Sequence, residues 1–259
     1  MERVYLPIQN GQQLPLRVWR PKGRARSTVV ALHGQITHSG WFERLGLQLI
    51  QMDIALVAAD RRGNGEAKHL IAANGIRDYI DDIGLSIKFA RSISSDVSLL
   101  CWCFGAKIGL PAALEFDVQR VVLPSPSLFS AKDMIERIKA LTPINGFLPI
   151  HFDPITEFSD IPEVQEYIKR DHQLLDRIPV SQRELSKALG LIATDAVAKL
   201  KVPLLSILAD NDKIIDLNKT VELLKHSPLK WFKGGHGFVL EPGGPEMIAF
   251  ELDAFVEKS

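Results

Sequence analysis

Cysteine is scarce in this chain. Cys101 and Cys103, two positions apart, are the whole supply, so no disulfide framework is available. No second Cys pair and no His-rich tract stands by to complete a zinc site. Net charge is missing too, since 31 Lys and Arg balance 31 Asp and Glu. That balance removes the electrostatic case for nucleic acid or an acidic membrane as partner. No apolar run approaches a membrane span. Residues 1–7 lack the basic segment and apolar core of a secretion signal. Repeats and low-complexity tracts are absent. The expectation is a protein of a reducing, cytoplasmic compartment, without metal or other cofactor.

What is present suits one α/β domain with an insertion: 259 residues, 46% of them hydrophobic, are enough for a large core. Strand patterns at 3–8, 14–20, 28–32, 55–59, 97–101, 120–123, 204–208 and 229–232 alternate with helical periods. The first two read as an edge hairpin turned at Asn10-Gly11. The later ones are short and rich in Val, Ile and Leu, as parallel strands buried on both faces are. A mostly parallel sheet of eight strands flanked by helices follows. Ile76, Tyr79, Ile80, Ile83 and Ile87 form one helical stripe, and residues 246–256 form a last helix.

One stretch breaks the alternation. Residues 129–198 hold no convincing strand, only helical runs at 132–140, 163–171 and 182–198 separated by prolines. This divides the chain into a core, 1–128 with 199–259, and an inserted helical lid, 129–198. Long insertions in compact domains tend to carry function. Apolar residues of the lid, among them Leu141, Ile144, Phe147, Leu148, Phe152 and Phe158, are candidates for an acyl pocket.

Cys103 carries the most chemical information. The apolar strand 97–101 runs into Trp102-Cys103-Phe104-Gly105 and then into a helix. That is the layout of a nucleophile elbow, G-x-S-x-G, with Cys101 at the first glycine and Cys103 at the serine. The strained turn lifts one side chain above the sheet at a helix N-terminus, which favours a thiolate. A lone Cys in an apolar stretch is otherwise a small buried hydrophobe. Four further pieces follow core strands in chain order. They are His33-Gly34-Gln35-Ile36-Thr37-His38-Ser39, Asp60-Arg61-Arg62-Gly63-Asn64-Gly65, Ala209-Asp210-Asn211-Asp212 and Gly234-Gly235-His236-Gly237. Asp210 and Asp212 are both candidates for an acid partner of His236. Trp102 either lines a pocket or packs. His69, His151, His172 and His226 have no catalytic motif around them.

From His33 to Phe238 these pieces resemble the α/β-hydrolases, and within them the monoglyceride lipase and lysophospholipase (serine aminopeptidase-like) group. The group's order is H-G-x-x-x-H-S, D-x-x-G-x-G, G-x-S-x-G, G-x-x-D and a late His. The resemblance implies Cys103 as nucleophile, Asp212 as triad acid and His236 as base. It implies Gln35 and Phe104 as the two backbone N–H donors of an oxyanion hole. Asp212 fits the acid better than Asp210, since Ala209 occupies the group's glycine and Asp212 stands three residues on. This chain departs from the group in carrying Cys for Ser. Cys on this fold is similar to dienelactone hydrolases and polyhydroxyalkanoate synthases, but the surrounding motifs match the lipase-like group better.

Three readings follow. One is a hydrolase acting on an ester or thioester through a thioester acyl-enzyme. Another is an acyltransferase or cyclising enzyme of a biosynthetic pathway using the same intermediate. The third is a non-catalytic acyl-binding protein, against which the presence of both Asp212 and His236 argues. The expected partner is a small-molecule acyl substrate, free or carrier-bound, and the oligomeric state stays open.

Overall fold

A computed structural model describes residues 1–257. Its centre is a sheet whose strands, in chain order, are β1 (Glu2–Pro7), β2 (Gln13–Trp19), β3 (Ser27–Leu32), β4 (Ile54–Ala59), β5 (Val97–Cys101), β6 (Arg120–Pro124), then β9 (Leu204–Ala209) and β10 (Leu229–Phe232). Between β6 and β9 lie two short strands, β7 (Phe147–Pro149) and β8 (Arg177–Pro179). The helices are α1 (Glu43–Leu49), α2 (Ile76–Arg91), α3 (Gly105–Glu115), α4 (Lys132–Ala140), α5 (Pro154–Phe158), α6 (Pro162–Arg170), α7 (Val180–Lys199), α8 (Leu217–Leu224) and α9 (Gly244–Glu257). No helix among the described residues is long and apolar enough to cross a membrane.

The main sheet runs β1-β2-β4-β3-β5-β6-β9-β10. β2 pairs antiparallel with β1 and with β4, and the other pairings are parallel. The chain steps from β3 to β4 in one direction and then back past β3 to β5. Right-handed crossovers therefore send α1 to one face and α2 to the other. Accordingly α1 packs with α9, and α2 with α3. Sandwiched strands must be apolar on both sides, and Val29, Val30, Leu99, Leu100, Val121, Val122, Ile207 and Leu208 have no accessible surface. This is the α/β-hydrolase arrangement that the motif order implies. The parallel strands all point their C-terminal ends one way, so the loops after β3, β5, β9 and β10 gather at one edge.

The segment between β6 and β9 departs from expectation in two respects. α4, α6 and α7 fall close to the anticipated runs, but α5 lies outside them, and β7 and β8 pair antiparallel, Phe147 with Pro179 and Pro149 with Arg177. Three-residue strands ending in proline carry too few alternations to stand out from loop. Two other prolines start helices, Pro154 after the cap Asp153 and Pro162 in the first turn of α6.

The elbow depends on close approach at Gly105, where a Cβ would overlap the Leu32 carbonyl of β3. Gly190, on α7, has only Lys107 Cε at 3.9 Å from such a Cβ. Gly105→Ala is expected to lower unfolding free energy by about 1–3 kcal/mol. Gly190→Ala is expected to raise it by about 0.5–1 kcal/mol through helix propensity. Urea titration of both variants checks the pair.

Candidate active site

Cys103 has φ of 54°, in the left-handed region that a residue with a Cβ seldom occupies. The turn is strapped to both neighbouring strands. The Trp102 N–H donates to the Leu32 carbonyl at 3.1 Å, and the Cys103 N–H donates to the Pro124 carbonyl at 3.3 Å. The Cys103 carbonyl accepts from the Ser127 N–H at 3.0 Å. These bonds hold a strained backbone that nothing local would favour. Cys103 keeps 7% exposure, and Cys101 has none. Burial pushes the Cys101 thiol up, so it stays protonated and fills the first elbow position as a small hydrophobe, against Gly109.

His236, after β10, is also without accessible surface. Its Nδ1–H donates to Asp212 Oδ2 at 2.7 Å. The other carboxylate oxygen, Oδ1, accepts from the N–H groups of Ile214 and Ile215 at 2.9 and 3.2 Å. Asp210 does different work, accepting from the Gly234 N–H at 3.0 Å and tying β9 to the His236 loop. Of the two candidate acids, Asp212 is therefore the one that meets the imidazole. His236 Nε2 is buried without a well-formed hydrogen bond and neighbours the Cys103 sulfur. Burial opposes protonation of this ring. The Asp212 charge, the Cys103 charge and hydrogen bonding to both outweigh it and raise the pKa to about 10. At neutral pH the ring is an imidazolium between a carboxylate and a sulfur.

The Gln35 and Phe104 backbone N–H groups donate no hydrogen bond among the described residues. Both residues line the same cavity as Cys103. The orientation of the Gln35 N–H has a visible cause. Its peptide carbonyl, Gly34 O, accepts from His33 Nδ1 at 2.8 Å and from Arg61 Nη2 at 3.3 Å. In a trans peptide the N–H points opposite to the carbonyl, away from these donors. His33 Nε2 in turn accepts from the Arg61 N–H at 2.9 Å. Burial, then the Arg61 charge, pushes the His33 pKa to about 3, so the ring is neutral and supports the loop. Arg61 Nη2 and Asn64 Nδ2 also hold the Gln35 carbonyl, at 2.7 and 2.9 Å. The Arg61 guanidinium lies 4.4 Å from the Phe104 ring centroid, against the other candidate oxyanion residue.

Several residues have roles that the sequence left open. Trp102 packs: its ring stacks on Trp41 at 5.4 Å, and its Nε1–H donates to the His236 carbonyl at 3.1 Å. Asp60 accepts from the Ser39 and Glu66 N–H groups at 2.7 and 2.8 Å, joining the loops after β3 and β4. His38 caps the turn at Ser39–Phe42 and bonds Asp171 at 3.0 Å through Nε2. The cavity, about 360 Å³, is walled by α4, β7, the α5 region and α7. Leu141, Leu148, Phe152 and Phe158 line it as anticipated, while Ile144 and Phe147 are exposed. Lys107, His151 and Arg183 also line it and were not anticipated. The three come from elements far apart in the chain, and no local pattern marks them.

A family model described as serine aminopeptidase, S33 (Hydrolase_4) matches residues 23–242. The chain belongs to this family. Its fold is that of the α/β-hydrolases. Among S33-like relatives, the monoglyceride lipase of Homo sapiens is 25% identical, over 98% of this chain and 90% of that protein. An uncharacterized abhydrolase domain-containing protein of Dictyostelium discoideum is 26% identical over 78% of this chain, but the match spans only 22% of that protein's length. In structure, a soluble variant of the Saccharomyces cerevisiae monoglyceride lipase superposes with a TM-score of 0.83 at 14% identity, covering 99% of this chain and 95% of that one. That likeness carries the fold.

Iodoacetamide is expected to label Cys103 in the native protein and to reach Cys101 only after unfolding. His236→Ala is expected to slow labelling of Cys103 about tenfold or more at pH 7, because the imidazolium beside the sulfur is gone. Peptide mass spectrometry with time resolves both thiols.

Proposed function

We propose that this S33-family protein transfers acyl groups through Cys103, with His236 and Asp212 completing a triad and the Gln35 and Phe104 N–H groups holding the oxyanion. The segment between β6 and β9 acts as a lid over the acyl group. Hydrolysis of a thioester or activated ester is the favoured reaction. The observation that carries the reading is the buried His236 ring, bonded to Asp212 at 2.7 Å through Nδ1 and neighbouring the sulfur of the strained Cys103 turn through Nε2.

The chemistry runs in two steps. The Cys103 thiolate attacks the carbonyl carbon and forms a C–S bond, and the carbonyl electrons move to an oxyanion facing the two N–H groups. The oxyanion collapses and expels the leaving group, and the His236 imidazolium gives up its proton to it, during departure for an alkoxide and during or just after departure for a thiolate. A thioester acyl-enzyme and a neutral imidazole remain. Neutral His236 then takes a proton from water, the hydroxide oxygen bonds to the acyl carbon, and the Cys103 thiolate departs. Free acid and the starting ion pair result.

Sulfur at the nucleophile position changes substrate preference. The tetrahedral intermediate expels either the Cys103 thiolate or the substrate's leaving group, and an alkoxide is the poorer of the two. Alkyl esters of the kind implied by the relatives' name, monoglyceride lipase, therefore tend to revert, whereas thioesters go forward. An amine, alcohol or thiol could replace water in the second step, which is the acyltransferase alternative. The two free donors beside Cys103 favour catalysis over mere acyl binding.

Intact mass after incubation with acyl thioesters tests the reading: the expected result is an acyl adduct lost in Cys103→Ala. Absence of any adduct across the panel, with free acid still formed by Cys103→Ala, overturns it. Turnover of an alkyl ester is also expected to fall as pH rises through about 10, where His236 loses the proton that the alkoxide needs. A thioester with an acidic thiol leaving group depends less on that proton, so its basic limb is expected to be shallower. Matched pH profiles of kcat/KM check this.

A further inference from the structure

Lys107 stands one helical turn beyond Cys103, on α3, and its ammonium opens into the cavity. Its Nζ donates to Ser186 Oγ on α7 at 3.1 Å and lies 5.9 Å from the Phe104 ring centroid. No carboxylate lies within ion-pair distance of it among the described residues. Arg183, one turn before Ser186, is in the same position, and its Nε is buried without a hydrogen-bond partner. Four cationic side chains line the cavity, Lys107, Lys139, Arg183 and Lys187, and no Asp or Glu does. Lys139 and Lys187 are neutralised by Glu136 and Glu184, each at 2.9 Å. Two cations are left facing a chamber whose other lining is apolar or uncharged, with Ser127, Ser130 and Ser186 among it.

A cation kept in such a chamber without a counter-charge is costly, and proteins seldom bury one unpaired. The cost is visible at Lys107, where burial pushes the pKa to about 8 despite the opposing pull of the Cys103 sulfur. A ligand carboxylate would supply the missing charge. Its place is on the acyl side of the scissile bond. The candidate oxyanion residues Gln35 and Phe104 line this cavity, while His236, which must meet the leaving group, does not.

We propose that the cavity takes an acyl group that carries its own carboxylate, seated on Lys107 and Arg183 with the methylene chain against Leu148, Met134 and Ile178. The substrate class is the half-activated dicarboxylic acid: one carboxyl as the thioester at Cys103, the other free at the far end. This inference rests on Cys103 being the acylated residue. Charge-assisted hydrogen bonds in a dry site are the strong ones, and a neutral end group leaves both cations unpaired.

The test compares three N-acetylcysteamine thioesters, whose leaving group is neutral: adipyl, its terminal methyl ester, and hexanoyl. Wild type is expected to favour adipyl over the methyl ester by about tenfold or more in kcat/KM. Lys107→Met is expected to bring that ratio close to one, and Lys107→Arg to keep most of it. A wild-type ratio at or below one, or an unchanged ratio in Lys107→Met, overturns the proposal. A fourth probe, hexanoyl 3-mercaptopropionate, puts the charge on the leaving group. A preference for it over adipyl overturns the acyl-side placement. Calorimetric binding of N-methyladipamic acid against N-methylhexanamide needs no covalent step. If no thioester acylates Cys103, the nucleophile reading fails, and this binding then decides the carboxylate seat. Tighter binding of the acid, lost in Lys107→Met, supports the seat, and equal binding overturns it.

Discussion

A left-handed backbone at Cys103 sets the terms for everything around it. A residue with a Cβ holds φ of 54° only when its surroundings leave no other choice. Here Leu32 and Pro124, at the ends of β3 and β6, grip the turn from both sides, and Gly105 lets α3 come close enough to Leu32 for the grip to close. The parallel sheet thus does more than form a core. It supplies the two carbonyls that keep one sulfur raised at the mouth of a cavity.

The charges at the site fall into two groups with opposite logic. Around His236 the carboxylate of Asp212 is buried and paired, and its hydrogen bonds from Ile214 and Ile215 make it a settled anion. Around Lys107 and Arg183 the cations have no such partner. One group is paired within the protein and the other is not.

Much of this was legible in the chain because parallel strands buried on both faces read as plain Val, Ile and Leu runs, and because the loops that follow them carry the motif residues in order. Residues 97–101 and 229–232 match their strands residue for residue. The resemblance to the group's G-x-x-D motif pointed to Asp212 rather than Asp210, and it is Asp212 that bonds His236. Other features lack any local signal. β7 and β8 are too short for a period. Lys107 and Arg183 meet because α3 and α7 pack together, and His151 joins them from the loop between β7 and α5, long-range facts with no trace in local periodicity. Trp102 looked like a pocket residue as readily as a packing one until its bond to the His236 carbonyl was seen.

That bond spans 134 positions of chain. The indole next to Cys103 in the chain holds the His236 backbone, and the His236 loop also leans on Phe158 through the Gly237 N–H at 2.7 Å. The elbow turn is held by β3 and β6, whereas His236 reaches it from the loop after β10. A change at the Trp102 indole or at Phe158 would therefore move the His236 ring relative to the Cys103 sulfur without touching either side chain.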